Sequence, residues 1–213
     1  MRTVVVLGKG QLAIRVAEWF RANEDWELMR VVPVMPEPEW TDSFAAWAAG
    51  NGVPRVQSGN YADLDAPEGR VADLGFSVFY DRILPAEFLA GFGRILNLHN
   101  APLPRYRGVS PINWALKNGE RSHGVTIHEI GPGIDDGPIV SQATYSIYPE
   151  RDEVADVLAR GLAFGWALFE QTMPILDRIE ATPQDESLAT YYGAGDDERL
   201  GERRDFTRAL SRC

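Results

Sequence analysis

Short apolar runs alternate with longer stretches of helical period along the chain. Residues 3–8, TVVVLG, are rich in β-branched side chains and predict a strand that ends in the turn Gly8-Lys9-Gly10. In the following QLAIRVAEWFRAN, Leu12, Val16, Trp19 and Phe20 share one helical face. A second strand is expected over 28–34, stopped by Pro36-Glu37-Pro38, and SFAAWAAGNG predicts a helix with a glycine terminus near Gly50. Residues 76–79 and 94–98 predict further strands, separated by a helical turn at PAEFLAGF. Residues 111–118 suit a helix with proline in its first turn, and 125–130 and 139–148 suit two more strands. One long helix is expected over 153–179, bent or broken near Gly165 or Pro174.

Strands alternating with helices predict an α/β fold, a Rossmann-like and mostly parallel sheet flanked by helices, with a long C-terminal helix. A main domain over 1–180 and a short polar tail over 181–213 are expected. The 213 residues, 45% hydrophobic and 24% charged, suffice for one core. No apolar run approaches the ~20 residues that span a bilayer. Met1-Arg2 leads directly into the first strand, so no signal peptide is expected. The single cysteine, Cys213, allows neither a disulfide framework nor a cysteine-rich metal site. Together these features favour the cytoplasm, and no membrane partner is expected. A net charge of −10 argues against broad contact with nucleic-acid phosphates.

Gly8-Lys9-Gly10 has two readings. Backbone N–H groups at a helix start, with Lys9 adding charge, would hold an anion on a substrate. The plainer reading is a tight strand-to-helix turn, because GKGQLA lacks the third glycine of a dinucleotide loop and no GKS or GKT follows. The block from Leu96 to Gln142 is more informative. Asn97 and His99, two apart at the end of an apolar strand, leave one face of it, at the edge where open α/β sheets place ligands. A basic segment, Arg105-Tyr106-Arg107-Gly108, follows, and GIDDG sets adjacent carboxylates in a glycine-bounded loop. An amide, an imidazole and a carboxylate can therefore be expected to converge without a metal or a covalent nucleophile. His128 on VTIHEI reads equally as a supporting or a structural residue, and His123 as an ordinary loop residue.

NLHNAPLPRYRG followed by GVTIHEIGPGIDDGPIVSQ is similar to the catalytic core of the formyltransferase family. Its pattern is Asn-x-His, a proline-bearing loop, and an Asp in a loop ending in glycine. The resemblance implies the formyltransferase fold and 10-formyltetrahydrofolate as formyl donor, with no metal. It implies catalytic roles for Asn97, His99 and Asp135, with Asp136 a neighbour. RILP resembles the segment lining the pterin pocket, so Arg82, Ile83, Leu84, Ile134 and Asp135 are expected at the folate. Formyl transfer passes through a tetrahedral intermediate. Asn97 would donate to the formyl oxygen, His99 would take the amine proton or donate when charged, and Asp135 would hold the imidazole. Lys9, Arg82 and Arg107 are the expected contacts to the acceptor substrate. Arg82 has a second reading, a pair with Asp81 or Glu87.

Asn100-Ala101 departs from the Pro-Ser common after the histidine in the tRNA and ribonucleotide branches. RYRG, INWALKNGE and ATYYGAGDDERL look more like the amino-sugar branch. The expected acceptor is thus a nucleotide-linked 4-amino-4,6-dideoxy sugar. The tRNA enzymes carry a further C-terminal barrel, for which no room is expected after residue 179. Glycinamide ribonucleotide or another small amine, hydrolysis of the folate, and a non-catalytic folate-binding module are the alternatives. Leu162, Trp166 and Phe169 form an apolar stripe for either a homodimer or burial on the domain's own sheet.

Overall fold

The computed structural model describes residues 1–65 and 69–204. Residues 205–213 of the expected tail, Cys213 included, lie outside the described residues. Two compact units divide between Leu98 and His99.

In the first unit β1 (Arg2–Gly8), β2 (Trp26–Pro33), β3 (Ala72–Val78) and β4 (Phe92–His99, its last residue in the second unit) run parallel in the order β2-β1-β3-β4. Helix α1 (Gly10–Ala22) buries Leu12, Val16 and Phe20 of the face read from the sequence, with Trp19 half-buried at its margin. The four residues Val4 to Leu7 are buried almost completely, as expected for a strand covered on both faces. Each such aliphatic side chain contributes roughly 1.5–3 kcal/mol by leaving water. Helix α2 (Phe44–Gly50) is capped by Ser43, whose Oγ accepts from the Ala46 N–H, and α3 (Ala86–Leu89) is a single turn.

The second unit carries β5 (Arg107–Gly108), α4 (Pro111–Lys117), the antiparallel pair β6 (Ser122–Glu129) and β7 (Ile139–Ser146), α5 (Val154–Thr172) and β8 (Tyr191–Tyr192). Pro111 sits in the first turn of α4, as expected. Helix α5 packs on β6 and β7 with Phe169 buried and Leu162 and Trp166 half-buried. It runs unbroken through Gly165 and gives way at Met173–Arg178 to a tighter 3-10 turn that begins with Pro174 near its start, where proline needs no helical donor. Parallel strands β1 to β4 with helices packed on them in the first unit, and a helix on the β6–β7 pair in the second, are the mostly parallel α/β class expected.

Strands β5 and β8 were not expected. They pair in parallel, Arg107 with Tyr191 and Gly108 with Tyr192, and they draw the polar segment beyond residue 181 onto the second unit. No helix among the described residues is long and apolar enough to cross a membrane.

Candidate functional site

Strand β4 alternates, so Asn97 and His99 leave its same face at its C-terminal end. Asn97 is half-buried and in register with Ser77 of β3. His99 is 8% exposed. Its Nε2 lies 2.8 Å from the Tyr106 carbonyl oxygen, and its Nδ1 lies 3.5 Å from Asp135 Oδ2. A carbonyl only accepts, so Nε2 carries a proton and Nδ1 is the nitrogen that faces Asp135.

Asp135 gathers more than His99. His128 Nε2 is 3.5 Å from its Oδ1, and the Gly108 N–H donates to its Oδ2 at 2.9 Å. The other His128 nitrogen, Nδ1, donates to the Glu129 carbonyl at 2.8 Å, which orients the ring. Burial pushes the Asp135 carboxyl up. The charge of His99, the hydrogen bond and charge of His128 and the Gly108 N–H outweigh burial and hold it well below the usual carboxylate range. The adjacent carboxylate behaves differently, because Asp136 folds back against Gly131 and Gly133. The Asp-Asp pair thus divides into one side chain facing the histidines and one closing its own loop.

Backbone strain collects in the same place. Of the four described non-glycine residues with positive φ, Tyr106 (+64°), Ser110 (+53°) and Asp135 (+52°) lie in these loops. Each such residue costs about 1–3 kcal/mol and persists only where its neighbours hold it.

His123 is neither in a loop nor exposed. It lies on β6, fully buried between the rings of Tyr106 and Tyr145, with Nε2 2.8 Å from the Asn100 carbonyl. Loss of hydration on burial drives its pKa down to about 4. Tyr106 also donates its hydroxyl to Glu120 at 2.6 Å, and burial together with that carboxylate pushes its pKa up to about 12.

The remaining expected site residues are distributed as follows. In the first unit Lys9 Nζ lies 4.0 Å from Asp81 Oδ2, Arg82 and Ile83 are exposed, and Leu84 is buried. Gly8, at φ +150°, brings the backbone so close to Val78 that a β-carbon would lie 2.1 Å from its carbonyl oxygen, which explains this glycine by packing alone. In the second unit Ile134 is exposed beside Asp135. Arg107 is buried and donates to Glu186 and Gln184. Among the described residues no group of three or more His, Cys, Asp or Glu side chains could hold a metal ion.

Residues 58–172 match the formyl transferase family, more than half of the chain. The chain belongs to the formyl transferase family. It is 37% identical over 179 residues to a methionyl-tRNA formyltransferase of Deinococcus radiodurans, covering 80% of this chain and 53% of that protein. The chain spans about half the length of the curated relatives it matches. Among solved structures it resembles an N-formyltransferase from Helicobacter canadensis in complex with folinic acid and dTDP-3-aminofucose. That likeness has a TM-score of 0.79 and 25% identity, over 92% of this chain and 72% of that one. The formyltransferase PseJ from Anoxybacillus kamchatkensis, solved with UDP-4,6-dideoxy-4-formamido-L-AltNAc and tetrahydrofolate, shares the fold. Its TM-score is 0.65 and its identity 23%, over 97% of each chain.

Proposed function

We propose that the chain is an N-formyltransferase that moves a formyl group from 10-formyltetrahydrofolate to the amine of a nucleotide-linked 4-amino-4,6-dideoxy sugar. One observation carries the reading: His99 is held between the Tyr106 carbonyl and the Asp135 carboxylate, on the strand that also bears Asn97.

The folate supplies an electrophilic formyl carbon, and the residues of this chain handle the charge and the proton. The lone pair of His99 Nδ1 takes the proton of the attacking amine, while Nε2–H stays with Tyr106. Asp135, kept ionised, stabilises the imidazolium that results, which gives its proton to N10 of the folate as the formyl carbon–N10 bond breaks and tetrahydrofolate leaves. The Asn97 side-chain N–H donates to the formyl oxygen as negative charge grows there. In the second unit the exposed Ile134 offers an apolar face to a flat pterin, and in the first unit the exposed Arg82 offers a guanidinium to an anionic group.

The sugar acceptor is supported by the likeness to the two sugar-nucleotide enzymes and by the net charge of −10, which suits a small nucleotide better than a long polyanion. The names of the relatives at 35–40% identity favour a second reading, methionyl-tRNA. A panel separates them: nucleotide-linked 3-amino and 4-amino sugars, glycinamide ribonucleotide, methionyl-tRNA and a control without amine. Each is incubated with 10-formyltetrahydrofolate and followed by product mass. Formylation of a 4-amino sugar nucleotide is the expected result. Product from methionyl-tRNA or the ribonucleotide alone would keep the chemistry and overturn the acceptor.

A further inference from the structure

Formyl transfer through Asn97, His99 and Asp135 leaves the polar segment beyond residue 181 without a role. That segment is nevertheless tied to the site loop at several points. Thr182 exchanges backbone hydrogen bonds with Ile139 at 2.7 and 2.8 Å, and Thr190 Oγ1 accepts from the Tyr106 N–H at 2.7 Å. Between these anchors lies Gln184. Its Oε1 accepts from Arg107 Nε at 3.1 Å and Nη2 at 2.8 Å. Its Nε2 donates to the carbonyl oxygens of Asp135 at 2.8 Å and Gly137 at 2.7 Å. A guanidinium only donates and a backbone carbonyl only accepts, so the partners leave the amide a single orientation. Glu186 completes the chain of contacts by accepting from Arg107 Nη1 at 3.0 Å and Nη2 at 2.6 Å, the two-pronged geometry of a strong ion pair.

We propose that Gln184 is a positioning residue for Asp135, held in place by Arg107 and Glu186; the proposal rests on the reading of Asp135 as the partner of His99. Asp135 adopts φ +52°, a conformation L side chains rarely take. The two Gln184 bonds pin the loop at that residue and two residues beyond it. Without them the loop relaxes toward ordinary backbone and carries the carboxylate away from both histidines. Arg107 then acts on the reaction by orienting the glutamine rather than by touching substrate, and the tail belongs to the site because it supplies this amide.

The test uses a favourable accident of composition. The chain has three histidines, of which His99 and His128 face Asp135 while His123 faces the Asn100 carbonyl. Gln184→Glu keeps the shape of the side chain and sets an oxygen where the amide nitrogen met two carbonyls. In nitrogen-15 imidazole spectra of the full chain, the ring signals of His99 and His128 move and those of His123 stay. In the formyl-transfer assay kcat falls by about 10- to 100-fold, the scale expected when a catalytic group is misplaced. Glu186→Gln, at an exposed position, loosens the Arg107 contact and gives a smaller shift of the same two signals; it decides the matter if Gln184→Glu does not fold. Signals of His99 and His128 at their wild-type positions in either folded variant would overturn the proposal, as would an equal movement of all three histidines. A fully active Asp135→Asn variant would instead sink the reading of Asp135, while movement of the two histidine signals would still show the hold of Gln184 on the loop.

Discussion

His99 Nε2 lies 2.8 Å from the Tyr106 carbonyl oxygen, and this one bond puts a proton on Nε2 and turns Nδ1 toward Asp135. Tyr106 itself sits at φ +64°, so the chain accepts backbone strain to aim that carbonyl.

If Nδ1 is the base and Asp135 steadies its charged form, the two residues act as a unit. Asp135→Asn is expected to lower kcat by about 100- to 10,000-fold, the range typical of losing acid–base catalysis. Adding Asp135→Asn to His99→Ala should then cost almost nothing further. Multiplicative losses in the double variant would mean that the residues work independently. Asn97→Ala, removing a donor to the developing oxyanion, is expected to cost about 100- to 1000-fold. Steady-state kinetics on the four variants would check each value.

His123 makes stability depend on pH in a defined window. Its pKa is about 4 in the folded chain against 6.5 unfolded, so between these values the unfolded state binds more protons. The stabilisation is complete above pH 6.5 and is lost as pH falls toward 4, by up to about 3 kcal/mol in total. The shift of Asp135 acts lower, below its unfolded value of 3.8. Urea unfolding of wild type should therefore weaken from pH 6.5 to 4.5, and His123→Gln should show a visibly flatter profile there. Parallel profiles for the two proteins would refute the assignment.

Much of this was legible in the sequence, and the remainder was hidden for physical reasons. Alternation along the apolar run 94–98 placed Asn97 and His99 on one face because a strand enforces a period of two. The site loop was legible through its resemblance to a family, since an Asp-Asp-Gly turn by itself does not say which carboxylate faces outward. His123 reads from the sequence as an ordinary loop residue, whereas it lies on β6. Its burial comes from Tyr106 and Tyr145, distant in sequence. The order of the tail was the least legible. Gln184 and Glu186 are polar and half-buried or exposed, with no hydrophobic period, and what fixes them is Arg107, 77 and 79 residues away.

Gly108 is the point at which that tail is most easily undone. It holds φ +92°, and a β-carbon there would lie 2.1 Å from the Tyr192 carbonyl oxygen. Gly108→Ala should part β5 from β8, disturb the stack of Tyr192 on Trp114 at 4.1 Å and destabilise the chain by roughly 2 kcal/mol. Limited trypsin digestion should cut within residues 180–204 sooner than in wild type. An unchanged digestion pattern and melting temperature would show that the β5–β8 pairing contributes little.

Formyl transfer by His99 is read most directly from the stoichiometry of the reaction. Tetrahydrofolate formed and N-formyl product formed are quantified together, with a 4-amino sugar nucleotide as acceptor, for wild type and His99→Ala. One product molecule for each tetrahydrofolate is expected in the wild type, and loss of both in the variant. Tetrahydrofolate appearing with free formate and no formylated amine, or equal turnover by His99→Ala, would contradict this expectation.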